Sequence, residues 1–415
     1  MFESYPSDQV AASATRAGPL GPHIPDYVGS LVAAGYARAT IRWKLCLVCV
    51  FGRWVERARL RVRDLDEMAI ERHVEAGTAR GRRCRAIAGV LGRFLSHLRS
   101  VGATCESQTA SSHRVRSEIE CRYECFLVEQ RGLASSTIEN YLSLLRQFLA
   151  HRFDGASLDM GALAPGDAAA FLLEHAHRVS SGRASLMVTM LRSFFRFLLQ
   201  DGEIRVDLSA TVPSVPHRRR GQIPRSIPPG DVERVIKACD LSAVSGVRDH
   251  AILMLLARLG LRAGEIVALR LDDVDWRGGV ITVRGKGSRQ ERMPLPRDVG
   301  QALVEYLRRS RPSGADTRRF FLRARAPIRG FAGPAAVTTL VHRAILRAGV
   351  DAPFRGAHLF RHSLATGMLQ EGASLAEIGE ILRHRSRTST EIYAKVDLRA
   401  LRSVALPWPI PGGVR

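Results

Sequence analysis

A single tyrosine, Tyr393, stands in a stretch of basic and hydroxyl residues, HRSRTSTEIYAKVD (384–397), in which His384 precedes it by nine positions. The stretch offers few apolar residues to a core, whereas a buried tyrosine normally contributes a large apolar surface. A tyrosine hydroxyl can act as a nucleophile when its surroundings activate it. This tyrosine is therefore the first candidate for chemistry.

Three other stretches carry groups suited to phosphate chemistry. LGLRAGEIVALRL (259–271) contains Arg262, with Glu265 three residues later and able to share its helix face, a spacing also typical of a structural ion pair. AHLFRHSLATGMLQEG (357–372) places His358 and Arg361 on one face of a helix. Lys286 stands in RGKGSRQ, in a chain with only four lysines among 62 basic residues.

Metal ligation is a competing explanation for some of these residues. His358 and His362 have the spacing of a zinc-binding pair, but residue 359 is leucine where a zinc protease needs glutamate. The CxxC of Cys46 and Cys49 and the CxxxC of 121 and 125 lie in apolar helical patterns, where we expect buried cysteines to act as small hydrophobic residues. We predict reduced thiols, no metal site and no cofactor.

The elements that must position these residues are mostly helices. Residues 230–240 and 248–260 have helical apolar periodicity. Two alternating runs, GVITVRG (279–285) and RQERMPLP (289–296), are separated by KGS and predict a β-hairpin with Lys286 at its tip. Helices resume after the hairpin, so this part is predicted to be mainly α with a small antiparallel sheet.

The N-terminal half contains a repeat. Residues 27–54 parallel 123–152, and VLGRFLSHLRSVG (90–102) parallels MLRSFFRFLLQDG (190–202). These blocks have the spacing of amphipathic helices and end on glycine, which predicts two similar helical domains, unless two amphipathic segments resemble each other by coincidence. A proline-rich basic stretch follows and predicts a linker, with its arginines either solvated or laid across a phosphate backbone.

The charge of the chain favours a nucleic-acid partner. The formal net charge is +22 and the isoelectric point is near 10.9. A surplus of this size favours binding to a polyanion, although an arginine-rich composition can also follow from genome bias. No charge-free run long enough to span a membrane and no secretion signal is found, which predicts a cytoplasmic protein that associates with the nucleoid when bound to DNA.

Taken together and in this order, the candidate residues resemble the catalytic domain of the tyrosine recombinase, or phage integrase, family. The resemblance covers roughly residues 225–400, and residues 117–205 resemble the helical core-binding domain of that family. It implies a fold that is mainly α with a small antiparallel sheet, with two N-terminal helical, SAM-like core-binding domains before the integrase-like catalytic domain. The expected boundaries are 1–110, 117–207, a linker at 208–229, a catalytic domain at 230–402 and a tail at 403–415.

The resemblance also assigns roles to residues. Its catalytic set falls on Arg262, Lys286, His358, Arg361, His384 and Tyr393, supported by Glu265. The arginines would bind the non-bridging phosphate oxygens without metal, the histidines would hydrogen-bond and transfer protons, and the lysine would protonate the leaving 5′-oxygen. The tyrosine would form a 3′-phosphotyrosyl link. In the family, glycine commonly stands directly before the histidine that corresponds to His384, the late histidine, and here the residue at that position is Arg383.

The expected partners are double-stranded DNA with specific recombination sites, a homotetramer in the synaptic complex and accessory recombinases. Integrase, transposase and resolvase roles all remain open. The alternatives are a type IB topoisomerase, which rejoins the original strand, and a DNA-binding relative without catalysis. The first N-terminal repeat is expected either to extend the DNA footprint or to contact a neighbouring subunit.

Overall fold

The structure is a computed structural model that describes residues 5–77, 82–104, 118–153, 158–215, 224–285, 290–313, 315, 317–384, 386 and 389–396; of residues 82, 83 and 85 only the backbone is described. We refer to residues 5–104 as the first helical segment, to 118–215 as the second helical segment and to 224–396 as the C-terminal segment. The chain folds into two compact units: the first helical segment and the C-terminal segment belong to one, and the second helical segment forms the other. The expected domain boundaries remain predictions.

The two helical segments are built alike. The first contains α1 (Ser7–Arg16), α2 (Ile24–Ala33), α3 (Arg38–Arg57), α4 (Glu67–Glu75) and α5 (Arg82–Ser100). The second contains α6 (Glu118–Glu129), α7 (Ser135–Phe153), α8 (Pro165–His175) and α9 (Ser181–Gln200). Each has its own core of buried apolar side chains.

The repeated residues occupy matching places in these two cores. Tyr27 meets Phe94 edge to face, with ring centroids 4.9 Å apart and an interplanar angle of 74°. Tyr123 meets Phe194 in the same way, at 5.2 Å and 78°. Edge-to-face contacts of this kind bring the positive ring edge to the negative ring face, so each pair stabilises its helix packing beyond simple burial. The two segments share a packing plan as well as a sequence pattern.

The C-terminal segment combines seven helices and a small sheet among its described residues. The helices are α10 (Pro229–Lys237), α11 (Val244–Arg258), α12 (Ala263–Ala268), α13 (Arg297–Arg309), α14 (Pro334–Ala348), α15 (His358–Gln370) and α16 (Leu375–Ile381). The strands β1 (Val274–Asp275), β2 (Val280–Arg284) and β3 (Gln290–Pro294) form one antiparallel sheet in that order. The predicted hairpin is confirmed as β2 and β3, while β1 was not predicted because two residues carry no period.

Helix α11 is the central element of the C-terminal core. Its residues from Ala251 to Ala257 are all buried, because other elements cover it on most sides. The helix ends at Arg258, and Gly260, two residues later, has φ +59°. A side chain there would also meet Leu382, since an added Cβ would lie 2.7 Å from that side chain. Glycine therefore allows the turn that places Arg262 directly after the buried helix.

The ends of the predicted linker belong to ordered structure. Leu208 packs in the core of the second helical segment. Ile227 packs in the core of the C-terminal segment, and its backbone N–H donates a hydrogen bond to Ser363 Oγ at 3.0 Å. Residues 216–223, including the three consecutive arginines, lie outside the described residues. Among the described helices, none is long and apolar enough to cross a bilayer.

The prediction that the paired cysteines are buried is wrong for three of the four. Cys49 is buried, but Cys46, Cys121 and Cys125 are exposed. Cys121 and Cys125 are one helical turn apart and share the solvent face of α6, whereas Tyr123 and Phe126 fill the inner face. The apolar pattern identified the helix correctly but not which of its faces carries the sulfur atoms.

Candidate active site

Tyr393 lies in a short 3₁₀ helix, Glu391–Val396, near the end of the described chain. Its side chain is 1% exposed and packs in a small core with Ala365, Ile378 and Leu382. Its hydroxyl lies 2.9 Å from Nδ1 of His362. Burial raises the pKa of Tyr393 to about 12, and the positive charge of Arg361 opposes that rise. The tyrosine therefore both packs and makes a polar contact, and it needs help to lose its proton.

Arg361 lies on α15, and backbone carbonyl groups from outside that helix hold its side chain. Its side chain donates to the carbonyl oxygen of Gly260 at 2.5 Å and to that of Leu382, and the residue is only 4% exposed. Burial, with the charges of Arg262 and Arg383, lowers its pKa to about 10. It thus remains a cation at neutral pH, and its position is fixed before any ligand binds.

Arg262 is anchored by Glu265. The arginine is the residue before α12; its backbone N–H donates to Glu265 Oε2 and its Nη1 donates to Glu265 Oε1, both at 2.8 Å. Glu265 is 5% exposed, whereas the Arg262 side chain is 37% exposed. A buried carboxylate therefore orients a guanidinium whose other edge is open to solvent.

Arg383 joins the same carboxylate, and the sequence analysis did not assign it a role. Its Nη2 donates to Glu265 Oε2 at 2.8 Å, and its side chain is 6% exposed. Its φ is +55°, the left-handed conformation that ends α16 and that glycine adopts without strain. This explains why glycine suits the position before the late histidine. Here an arginine accepts the strain, and its side chain gains a buried ion pair.

Three histidines surround the tyrosine and the arginines. His384 has its Nδ1 2.6 Å from Thr390 Oγ1, and its ring lies parallel to that of Tyr393 with centroids 6.4 Å apart. Burial and then the charges of Arg361 and Arg262 lower the pKa of His384 to about 4. Burial and then His358 and Arg361 lower the pKa of His362 to about 4.

His358 begins α15 and is exposed to solvent. Partial desolvation of its ring and then the charges of Arg361 and Arg262 lower its pKa. All three imidazoles are therefore neutral at pH 7, and each can offer one nitrogen as a donor and one as an acceptor.

Lys286 lies outside the described residues, so its place relative to the cluster stays a prediction. Strand β2 ends two residues earlier at Arg284, whose Nη2 donates to the buried carboxylate of Asp273 at 2.6 Å. That ion pair anchors the last residue of β2, next to the turn in which the sequence analysis places the lysine.

The structure brings together most of the residues that the sequence nominated. Arg262, His358, Arg361, His384 and Tyr393 form one cluster, joined by the ring contacts of the histidines with one another and with Tyr393 and by the hydrogen bonds of the two arginines to the end of α16. An open cleft of about 1250 Å³ lies beside this cluster, between β3 and the end of α16, and is lined in part by Arg383 and His384.

Two residues of the cluster were missed. His362 directly follows Arg361 and was considered only as a zinc ligand. Arg383 could have been found from the sequence, because it stands where the family commonly has glycine. An arginine at that position adds a charged side chain directly beside the catalytic candidate His384.

Two other candidate groups have ordinary structural roles. Tyr306, the other tyrosine of the C-terminal segment, is 1% exposed, and its hydroxyl accepts a hydrogen bond from the N–H of Leu322 at 3.0 Å. His151, Glu174 and His175 of the second helical segment offer possible metal-ligand atoms within 4.8 Å of one another. His151 and Glu174 form an ion pair at 3.1 Å, and His175 Nδ1 lies 3.1 Å from the Phe171 carbonyl, so each side chain already has a partner.

Comparison with known proteins identifies the class to which this fold and site belong. The model of the phage integrase family matches residues 225–399, and that of the phage integrase N-terminal SAM-like domain matches residues 121–202. A Sinorhizobium fredii protein with the provisional name integrase/recombinase y4rA is 40% identical over 401 residues, which cover 96% of this chain and 97% of that protein. The chain therefore belongs to the phage integrase family, the tyrosine recombinases.

Further relatives agree with this assignment. The tyrosine recombinase XerD of Mycobacterium tuberculosis strain H37Rv is 31% identical over 295 residues, covering 67% of this chain and 93% of XerD. Among solved structures, XerH recombinase in a post-cleavage complex with difH DNA has a TM-score of 0.54 at 21% identity, covering 68% of this chain and 83% of that one. A lambda integrase dimer on a core site has a TM-score of 0.51 at 18% identity, covering 66% and 93%. These structures share the fold.

Proposed function

We propose that this protein is a site-specific DNA recombinase or integrase that cleaves and rejoins DNA strands through a 3′-phosphotyrosyl intermediate, in the service of a mobile element or phage. The observation that carries the proposal is the cluster of Arg262, Arg361, His358 and His384 around Tyr393. Two fixed guanidiniums and several neutral imidazoles beside one tyrosine match the needs of phosphoryl transfer from DNA to a protein oxygen.

In the proposed reaction, the Tyr393 oxygen forms a bond to phosphorus and the bond from phosphorus to the 5′-oxygen breaks. Arg262 and Arg361 bind the non-bridging oxygens and stabilise the charge that develops on them. Lys286 gives a proton to the leaving 5′-oxygen, which arginine does poorly because its pKa exceeds about 12. No metal ion is required, and attack by a 5′-hydroxyl on the phosphotyrosine rejoins the strand.

His362 is proposed as the group that takes the tyrosine proton. Its Nδ1 is already 2.9 Å from the hydroxyl oxygen, within the reach that proton transfer needs. In the tautomer with the proton on Nε2, Nδ1 accepts the hydrogen bond. A bound phosphodiester brings negative charge next to Arg361, which offsets one cause of the low pKa of His362. DNA would thereby raise the basicity of His362 at the moment when the tyrosine must react.

Tyr393 is also proposed to move before it reacts. At 1% exposure its hydroxyl is not open to a DNA phosphate. The 3₁₀ helix that carries it is short, and it meets the rest of the C-terminal segment through one small apolar core and the contact of Tyr393 with His362. A small shift of residues 391–396 on DNA binding would expose the hydroxyl while keeping the nucleophile in the active site of its own subunit.

The assembly is proposed to be a homotetramer on two specific DNA sites, with accessory recombinases as further partners. The solved structures that share this fold include a lambda integrase tetramer bound to a Holliday junction, with a TM-score of 0.50. A type IB topoisomerase is the second candidate because the same residues would serve it. The y4rA-like organisation over 96% of the chain favours the recombinase.

The test is covalent capture of DNA by full-length protein. The substrates are nicked suicide duplexes cut from the DNA that flanks the coding sequence. Tyr393→Phe is expected to lose the covalent adduct and to keep its DNA affinity, because only the reactive oxygen is removed. Tyr306→Phe is the matched control and should keep the adduct. An adduct that persists in Tyr393→Phe would refute the assignment.

The same substrates test the other parts of the proposal. Adduct formation should continue in EDTA, and loss of cleavage that magnesium restores would contradict a mechanism based on arginines. Strand exchange between two sites, as opposed to relaxation of a supercoiled plasmid alone, separates a recombinase from a topoisomerase. DNA binding without any adduct on these duplexes would favour the inactive relative.

A further inference from the structure

Lys44 is a buried cation without an acidic partner. It lies on α3 of the first helical segment and is 3% exposed. Its Nζ lies over the ring of Tyr36, 4.8 Å from the centroid, and 6.0 Å from the ring of Trp43. Among the described residues no carboxylate forms an ion pair with Lys44, and aromatic rings alone compensate poorly for the lost hydration of an ammonium group.

A second cation converges on the same place. Nη1 of Arg93, on α5, donates a hydrogen bond to the Tyr36 hydroxyl at 2.6 Å. Burial and then the positive charge of Arg93 lower the pKa of Lys44. Two like charges around one hydroxyl, with no carboxylate between them in the described part of the chain, form a site suited to an anion.

The second repeat carries no charge at the matching positions. By the repeat alignment, Tyr36, Lys44 and Arg93 correspond to Leu133, Tyr141 and Ser193. The packing plan of the two segments is otherwise shared, so the fold does not need cations at these places. The charges of the first repeat therefore point to binding and not to folding.

We propose that the exposed Arg93 guanidinium and the Tyr36 hydroxyl form a phosphate-binding site that takes a backbone phosphate of the DNA substrate, with the buried charge of Lys44 beneath them adding to the attraction. The ammonium and guanidinium groups supply charge, the tyrosine supplies a further donor, and the half-exposed Trp43 stands beside them. The proposal rests on the proposed function, because it takes duplex DNA as the ligand. It assigns the first repeat to extension of the DNA contact.

A backbone contact links this site to the C-terminal segment. The carbonyl oxygen of Ala34, two residues before Tyr36, accepts a hydrogen bond from the N–H of Ile328 at 3.0 Å. Both residues belong to the same compact unit. The site is thereby attached to the compact unit that carries the active-site cluster.

The test compares Lys44→Met with two other variants in the full chain. Lys237→Met, which removes an exposed lysine from α10, is the matched control. Arg93→Met removes the exposed arginine of the site, and because that side chain is exposed, the variant is expected to fold normally. The probe is a labelled duplex of about 50 base pairs, with binding followed by fluorescence anisotropy over a range of salt concentrations. Loss of one phosphate contact should lower the slope of log affinity against log salt by about 0.9, which is roughly an eightfold loss of affinity near 0.1 M salt.

Thermal unfolding without DNA separates binding from structure. Lys44→Met should raise the melting temperature by about 2–4 °C, because an apolar side chain replaces an unpaired buried charge. A lower melting temperature with an unchanged salt slope would make Lys44 a structural residue and overturn the proposal. An unchanged slope in Arg93→Met would overturn it as well.

The covalent-adduct assay is run in parallel on the same variants. A normal adduct with a reduced salt slope supports both the site and the recombinase. A reduced slope in a protein whose wild type forms no adduct would retain the phosphate site and refute the proposed enzyme. A normal adduct with unchanged slopes would retain the proposed enzyme and refute the phosphate site.

Discussion

Replacement of Glu265 by glutamine should destabilise the C-terminal segment strongly although the two side chains have almost the same shape. The Glu265 carboxylate accepts three hydrogen bonds of 2.8 Å, from the Arg262 backbone, from Arg262 Nη1 and from Arg383 Nη2. The amide of glutamine retains one acceptor oxygen and turns an NH₂ group toward a guanidinium. The variant thus loses the negative charge and at least one hydrogen bond.

The size of the effect follows from burial. Glu265 and the Arg383 side chain are 5% and 6% exposed, so breaking their pair leaves a buried cation whose remaining ion pair, with the more exposed Glu291, is longer at 3.4 Å. Removal of one partner of a buried ion pair typically costs 3–5 kcal/mol. Arg262 is partly exposed and water can solvate it, so the lower end applies, and we expect a loss of about 3 kcal/mol in the free energy of opening.

Native-state hydrogen exchange of peptides from α11 and α15 measures this loss locally and does not require the whole chain to unfold in one step. Glu305→Gln is the control, because that glutamate forms an (i, i+4) pair with Arg309 on the surface of α13 and should cost only about 0.5 kcal/mol. Duplex DNA should reduce the defect of Glu265→Gln, since a phosphate supplies the missing negative charge. Exchange rates equal to wild type without DNA would refute this account of the cluster.

Three further outcomes are expected. Arg383→Gly should be more stable than Arg383→Ala by about 1 kcal/mol, because both lose the Glu265 pair and only glycine relieves the left-handed backbone; equal stability would contradict that conformation. Lys286→Arg should slow cleavage, and a 5′-thio leaving group, which needs little protonation, should recover much of the loss; equal defects on both substrates would exclude the lysine as the acid. Stability should fall as the pH drops from about 6.5 toward 4, because His362 and His384 have a pKa of about 4 when folded and bind protons more readily when unfolded. Thermal unfolding across this range should show a smaller fall in His362→Gln than in wild type, and an identical fall would contradict the lowered pKa.

The sequence alone determined the periodic elements and the set of reactive residue types. Helices and the β2–β3 hairpin follow from apolar spacing and from glycine at turns, which are local properties of the chain. The repeat was visible for the same reason, because paired residues such as Tyr27 and Tyr123 fill the same place in two similar cores. The candidate catalytic residues were found because their types follow one another along the chain in the same order as in the tyrosine recombinase family.

Only the tertiary structure decided which side chains touch. Residues 262 and 383 are far apart in sequence, and their shared carboxylate became evident only when α12 and the end of α16 packed together. The contact of His362 with the Tyr393 hydroxyl depends on how the last 3₁₀ helix lies against α15. The cysteine faces and the unpaired charge at Lys44 likewise depend on which face each helix buries. Local residue patterns predict helices and strands. The burial and pairing of charged side chains depend on contacts between residues far apart in sequence, and these form only when the helices and strands pack together.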